Sequence, residues 1–207
     1  MHLKRNKVPK VWPLKRKGTK YVARALTSLK NGVPLVVALR DIIKLGKTEK
    51  DVRNIINSGK IKLNNKTIKD KSHPINIFDV LSLDEKKLRL VIKNKKFIFE
   101  ETNKEEKTLK IIGKKTLNKG VQQINLFGGL NYIYKDKVKT GDSALIDFKD
   151  NKIKEIIPFK EGCAVIFISG KHIGEEGKVE SYGGEKVIIH INNKKINADI
   201  KNLMVVK

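Results

Sequence analysis

Between residues 34 and 83 the hydrophobic period of the chain changes from that of a helix to that of a strand with no linker between, so this stretch must fold as one αα-β unit. Leu35, Leu39 and Ile42 recur at i, i+4 and i+7 and predict the buried face of a first helix. Arg40, Lys44 and Lys47 recur on another face, which makes one side core and the other cationic, and Gly46 stands where that helix is expected to end. Thr48, with Asp51 three residues on, opens a second helix as a variant of the Ser/Thr-x-x-acid capping pattern. Val52, Ile55 and Ile56 repeat the apolar spacing, Lys50, Arg53 and Asn57 share the exposed face, and Gly59 supplies the stop. Lys60, Ile61, Lys62 and Leu63 then alternate strictly, and Asn64-Asn65 suits the positive φ of a tight hairpin turn leading to Lys66.

Charge decides what such a unit meets. The 207 residues carry 46 Lys and Arg against 22 Asp and Glu, a formal charge of +24, and a polyanion is the partner that would relieve that self-repulsion. Lys, Asn and Ile are abundant, as an AT-rich genome would produce, but compositional drift does not place Arg40, Lys44 and Lys47 on one helical face. No segment of 18 or more apolar residues and no lone basic amphipathic helix marks a membrane partner. The N-terminus has no apolar signal-type region, so a cytosolic location is expected. Cys163 is the sole cysteine, beside an aliphatic run, and reads as a small hydrophobe rather than a disulfide partner or metal ligand.

Residues 1–33 form the first expected segment, a basic arm. Its first thirty residues hold ten Lys or Arg and no acid, with Pro9 and Pro13 interrupting any helix. Such a segment has too little apolar surface to order itself and would gain structure along phosphates, with Lys4, Arg5, Lys7, Lys10, Lys15, Arg16 and Lys17 as the contacts. Trp12, the only tryptophan, either stacks on an exposed base or anchors the arm to the protein. The arm does not account for the whole charge, since without residues 1–40 the remainder is still at +13.

The expected organisation continues with the basic αα-β domain over 34–95, a central β domain over 96–157 and a small barrel over 158–207. Residues 88–92 and 96–101 read as strands joined by a lysine-rich turn, and short strands follow at 108–116, 121–127, 131–134, 143–148 and 152–159, separated by Gly, Asp and Asn turn signals. Glu100, Glu101, Glu105 and Glu106 are an acidic cluster in a basic chain, read as a solvated turn or a contact for a basic neighbour. Gly162, Gly170, Gly174 and Gly177 bracket two further strands and are read as turn formers, with Lys171 and His172 on the exposed loop as phosphate contacts. The end of the chain reads as a hairpin turning at Asn192-Asn193 and a final strand. The fold class is therefore α+β and predominantly β. Domains of about 60 residues bury only about 60% of their unfolded surface, so modules that lean on each other and on a partner are expected.

Catalytic patterns fail on inspection. His2, His73, His172 and His190 have no ligand spacing, there is no HExxH or CxxC, and residues 113–116 lack the earlier glycine of a phosphate loop. No serine sits in a Gly-x-Ser-x-Gly elbow. No enzyme, metal site or cofactor is expected.

The residues now carry a likeness that spacing alone does not supply. The 34–83 stretch resembles the S4-type RNA-binding domain through its αα unit, Arg53, Gly59-Lys60-Ile61, Asn64-Asn65 and Asp79-Val80-Leu81-Ser82. The last third resembles a KOW motif through Lys160, Gly162, the hydrophobic strand, Gly170, Gly174 and Gly177. In this order, behind Val8-Pro9-Lys10 and Trp12-Pro13-Leu14, the whole resembles the archaeal and eukaryotic small-subunit ribosomal protein S4e family. That resemblance implies an SH3-like barrel at the C-terminus and a structural constituent of the small ribosomal subunit in the cytoplasm. Its implied partners are ribosomal RNA and neighbouring ribosomal proteins, with no membrane, no small-molecule substrate and no homo-oligomer. Two departures stand out: residues 25–32 replace the family's Gly-Pro-His segment, and the sequence ends at Lys207 without the tail of eukaryotic relatives, which favours an archaeal or reduced source. Two other readings use the same parts, a transient translation or transcription factor acting through its KOW barrel and an RNA-modifying enzyme with this domain as its handle. The basic arm favours the built-in constituent over the factor, and the lack of a catalytic domain disfavours the enzyme.

Overall fold

A computed structural model describes residues 2–27, 29–84, 86–117, 121–184, 186–191 and 194–206, and the chain divides into two compact units, Met1–Glu105 and Glu106–Lys207. The turn expected at Asn192-Asn193 lies outside the described residues.

In the first unit β1 (Leu3–Lys4) pairs antiparallel with β2 (Tyr21–Val22), and β3 (Gly32–Pro34) leads directly into α1 (Leu35–Val37). There follow α2 (Glu49–Asn57), β4 (Ile61–Leu63), β5 (Lys66–Thr67), β6 (Pro74–Asn76), β7 (Val80–Leu83), β8 (Lys86–Lys93) and β9 (Lys96–Glu101). Five of these strands make one antiparallel sheet in the order β5-β4-β7-β8-β9, while β3 pairs with β6. The helices bury Leu35, Leu39, Val52 and Ile56, and the sheet buries Ile61, Leu81, Leu90 and Phe97.

The first helix ends earlier, and differently, than its period suggests. Beyond Val37 it loosens into a π turn (Ala38–Ile42), closed by the Ile43 N–H donating to Ala38 O at 2.9 Å, five residues back. Lys44, not Gly46, takes the left-handed conformation that stops it, with φ +64°. Arg40, Lys44 and Lys47 therefore do not share one helical face. Gly46 serves another purpose: a Cβ there would lie 3.1 Å from Val52 Cγ2, so its lack of a side chain lets the loop press against α2. The boundary expected between residues 95 and 96 also falls inside a hairpin. Asn94 and Lys95 make its turn at φ +50° and +60°, and β8 and β9 pair Ile92 with Phe97. Splitting them would break a continuous ladder, and the first unit runs on to Glu105.

The second unit contains β10 (Glu106–Thr116), β11 (Gln122–Leu126), β12 (Asn131–Tyr134), β13 (Ser143–Asp147) and β14 (Lys152–Ile157), then β15 (Ala164–Phe167), β16 (Glu176–Gly183), β17 (Lys186–Ile191), β18 (Lys194–Asp199) and β19 (Leu203–Val205). They form two five-stranded antiparallel sheets, ordered β12-β11-β10-β13-β14 and β18-β17-β16-β15-β19. Each has its own core: Leu109, Ile111, Ile124 and Ile146 in the first, Val165, Phe167, Val187 and Leu203 in the second, where Cys163 packs half-buried at the edge. The α+β, predominantly β class is the observed one. Gly177 is not a turn residue but lies within β16, where a Cβ would come 2.6 Å from His190 O across the ladder.

Between these sheets Lys110, on β10, is buried and its Nζ donates to the Ile200 carbonyl. Burial pushes its ammonium down from the ordinary 10.5 to about 8. The folded state thus gives up a proton that the unfolded chain keeps until about pH 10.5, so stability rises with pH between about 8 and 10.5. Replacing Lys110 by Met should remove that rise. Urea midpoints at the two ends of the window, wild type against variant, measure it; parallel pH profiles would show that Lys110 is not the group responsible.

Candidate nucleic-acid interface

The expected docking surface is assembled from α2 and the hairpin that follows it. Thr48 caps α2 reciprocally, its Oγ1 accepting from Asp51 N at 3.2 Å while Asp51 Oδ2 accepts from Thr48 N at 2.9 Å. Val52 and Ile56 face the core, which leaves Arg53 on the outside. Gly59, at φ +74°, ends the helix and turns the chain into β4, where Ile61 and Leu63 are buried and Lys62 between them is exposed. Asn64 and Asn65 adopt φ +50° and +65°, the paired left-handed turn read from their sequence, and bring Lys66 opposite Leu63.

Sequence spacing gave no sign of what fixes this hairpin to the sheet. The Asn64 side chain donates through Nδ2 to Asp79 Oδ1 at 2.8 Å and accepts at Oδ1 from Val80 N at 2.9 Å. Asp79, itself buried, also accepts from Asn76 N at 2.8 Å. A buried carboxylate held by an amide and a backbone N–H has one low-energy geometry, so the lysines of the hairpin project from a rigid base. The only available signal was an Asn at a turn with an unexplained Asp at the start of a later apolar strand.

Partner charges set which cations are available. Glu49 accepts from Lys71 and from Arg53, the latter at 3.2 Å, and the bonded Lys71, aided by Arg53, holds its carboxyl below the ordinary range. An exposed i,i+4 pair is worth only about 0.3–0.5 kcal/mol, so Arg53 is held in place yet released cheaply to a phosphate. Lys60 stands 3.9 Å from Asp84, whereas Lys62 and Lys66 are exposed and make no ion pair among the described residues. Arg40 is half-buried and bound to Asp41 at 2.8 Å, which raises its pKa further and keeps it within the fold rather than on a cationic face. Lys44 and Lys47 are exposed.

The N-terminal segment is ordered, contrary to the arm expected from its composition. Arg5 turns its guanidinium inward, Nε to Thr19 O at 2.7 Å, Nη1 to Lys15 O at 2.8 Å and Nη2 to Thr19 Oγ1 at 2.8 Å, so it closes a loop of its own chain instead of meeting phosphate. Trp12 is 1% exposed, with Nε1 donating to Leu29 O at 3.3 Å; it anchors and has no face free for a base. Borrowed partners explain the order, since Val11 O accepts from Phe97 N at 2.9 Å and Lys10 O from Lys96 Nζ at 2.6 Å. Lys4, Lys7, Lys10, Lys15, Arg16 and Lys17 remain exposed.

In the second unit Lys171 is exposed, but His172 is half-buried, bonded through Nδ1 to Glu175 Oε2 at 2.8 Å and leaning on Phe167 with ring centroids 5.7 Å apart. It shapes its loop and is withdrawn as a phosphate contact. The glutamates of the acidic cluster pair with lysines of their own chain, and Glu101 stays exposed. Glu100 pairs with Lys93, Glu101 with Lys86 at 3.9 Å, Glu105 with Lys87 at 2.5 Å and Glu106 with Lys154 at 3.5 Å. Among the described residues no His, Cys, Asp and Glu group is placed to hold a metal ion, and no helix is long and apolar enough to cross a membrane.

Comparison with known proteins places this geometry in context. Residues 84–153 match the ribosomal family S4e. The chain is 35% identical to the small ribosomal subunit protein eS4 of Methanosphaera stadtmanae, over 86% of this chain and 78% of that one. It is 33% identical to the eS4 protein of Archaeoglobus fulgidus, over 88% and 80%, and 32% identical to one from Methanococcus maripaludis, over 98% and 86%. The fold is similar to the crystal structure of the 30S ribosomal protein S4e from Thermoplasma acidophilum, with a TM-score of 0.73 and 23% identity over 85% of this chain and 95% of that one.

Proposed function

This chain belongs to the S4e family of ribosomal proteins, and from that premise we propose that it is built into the small ribosomal subunit by binding ribosomal RNA through backbone and shape. The family is one of structural, non-enzymatic ribosomal components, so the role is assembly and support of translation in the cytoplasm, not catalysis.

The RNA-binding reading is supported by the exposure of Arg53 on α2 and of Lys60, Lys62 and Lys66 along the Asn64-latched hairpin that follows it. In A-form RNA the major groove is too deep and narrow for side chains, and contacts fall on phosphates and 2′-hydroxyls. Lysines on a fixed strand meet phosphates as point charges, and Arg53 adds a planar fork able to hold one phosphate by two bonds. Neighbouring ribosomal proteins complete the set of partners, and Lys171 with the exposed N-terminal lysines supplies further phosphate contacts.

Arg53→Ala tests the reading. It should weaken binding to small-subunit RNA about equally for helical junctions of different sequence, and lower the salt slope by about one. Filter binding across a sequence-varied set measures both. A loss confined to one sequence would indicate base readout, and no loss would remove Arg53 from the interface.

A further inference from the structure

The first unit contains an open cleft of about 910 Å³ whose tyrosine and Arg24 the RNA-binding edge does not use. The N-terminal segment lines it with His2, Lys15, Lys17, Tyr21 and Arg24, and the π turn after α1, Lys44, the start of α2 and Lys71 line it as well. Both carboxylates in the lining are spoken for: Asp41 binds Arg40 at 2.8 Å and Glu49 binds Lys71 and Arg53. Lys15, Lys17, Arg24 and Lys44 are exposed and make no ion pair among the described residues. The cleft is therefore strongly cationic at every free position.

An aromatic platform stands in the same cleft. Tyr21 is 47% exposed although it lies on β2, its ring 5.3 Å from that of His2 and 5.5 Å from Lys20 Nζ. An exposed tyrosine braced by a second ring and a cation, among unpaired Lys and Arg, is the combination that receives an unpaired nucleotide: phosphates to the cations, base on the ring. A duplex does not fit these features, because its bases are stacked on one another and present no free face.

We infer that this cleft binds a single-stranded RNA segment, with a base stacked on Tyr21 and flanking phosphates held by Lys15, Lys17, Arg24 and Lys44. The inference rests on the reading of the chain as an RNA-binding ribosomal component, but it places a second site away from Arg53 and the hairpin, with a different RNA form as ligand.

The test is fluorescence anisotropy of the full chain with a labelled short oligouridylate, competed by a duplex of equal length. Tyr21→Ala should lower affinity for the oligouridylate roughly 5- to 100-fold, the equivalent of one lost base stack, and leave duplex affinity unchanged. Tyr21→Phe should bind as wild type. Lys44→Glu, outside the β1–β2 pair, should weaken the oligouridylate even where Tyr21→Ala perturbs the strand. Lys62→Ala, on the hairpin and not in the cleft lining, should leave the oligouridylate untouched; if Arg53→Ala fails to weaken small-subunit RNA while the oligouridylate still binds, the edge reading falls and the cleft stands. Unchanged oligouridylate binding in both Tyr21→Ala and Lys44→Glu, or equal competition by duplex, would overturn the cleft.

Discussion

Raising salt from 50 to 200 mM should weaken binding of this chain to small-subunit RNA by about a thousandfold or more, if roughly six to ten phosphates are neutralised. The expectation follows from how the surface is built. Phosphates hold a condensed cation atmosphere, and each lysine that replaces a counterion releases it, so affinity falls as a power of the salt concentration. The first unit offers Arg53, Lys60, Lys62, Lys66 and the exposed N-terminal lysines, all on the solvent side of the fold. Self-repulsion at +24 works in the same direction, because a bound polyanion relieves it most at low salt. An affinity that changes less than about tenfold over this range would mean that apolar or base contacts dominate. Charge-removing substitutions at Lys62 and Lys66 together should flatten the slope by close to two, since neither has an internal partner to release first.

How much of this was legible in the sequence depended on whether the deciding interaction was local. The α2 capping box, the Gly59 stop and the Asn64-Asn65 turn each depend on residues within a few positions, and each appears as read. The strands of the second unit are bounded by turn residues and fall within one or two positions of expectation. The errors came from contacts between distant residues. The π turn is an exception, a local bond from Ile43 to Ala38 that the apolar period of this stretch does not announce. The pairing of Glu100 with Lys93 and of Glu101 with Lys86 arises only when β9 folds back on β8.

The site was legible as a list of residue types and less so as a list of roles. Counting charges treats Arg5, Arg40 and Lys62 alike. In the fold the two arginines find carbonyl and carboxylate acceptors within their own chain, as a rigid fork of five donors tends to do, whereas Lys62 stands on a strand whose alternation leaves it no partner. Tyr21 and Arg24 went unnoticed for the opposite reason. They sit in a stretch with no periodicity, and only the return of the chain beside α1 places them in a cleft.

Replacing Trp12 by Ala should destabilise the first unit by about 3–5 kcal/mol, the usual cost of deleting a buried tryptophan. Its side chain is among the largest fully buried in the chain, and its loss would leave both a cavity and the Leu29 carbonyl without its donor. Against a typical domain stability of about 5–15 kcal/mol, that is enough to leave the N-terminal segment detached or the unit unfolded near physiological temperature. Far-UV circular dichroism in urea measures the loss, with Arg16→Ala, an exposed neighbour, as a control expected within about 0.5 kcal/mol of wild type. Because Trp12 is the only tryptophan, wild-type fluorescence adds an independent check on anchoring against stacking. Emission should be blue-shifted, resist iodide and stay constant when RNA is added; strong quenching by RNA would mean that the ring leaves the core to meet a base. The same anchor holds the wall that carries Tyr21, so Trp12→Ala should also abolish oligouridylate binding, whereas Tyr21→Ala should weaken it with a far smaller change in stability.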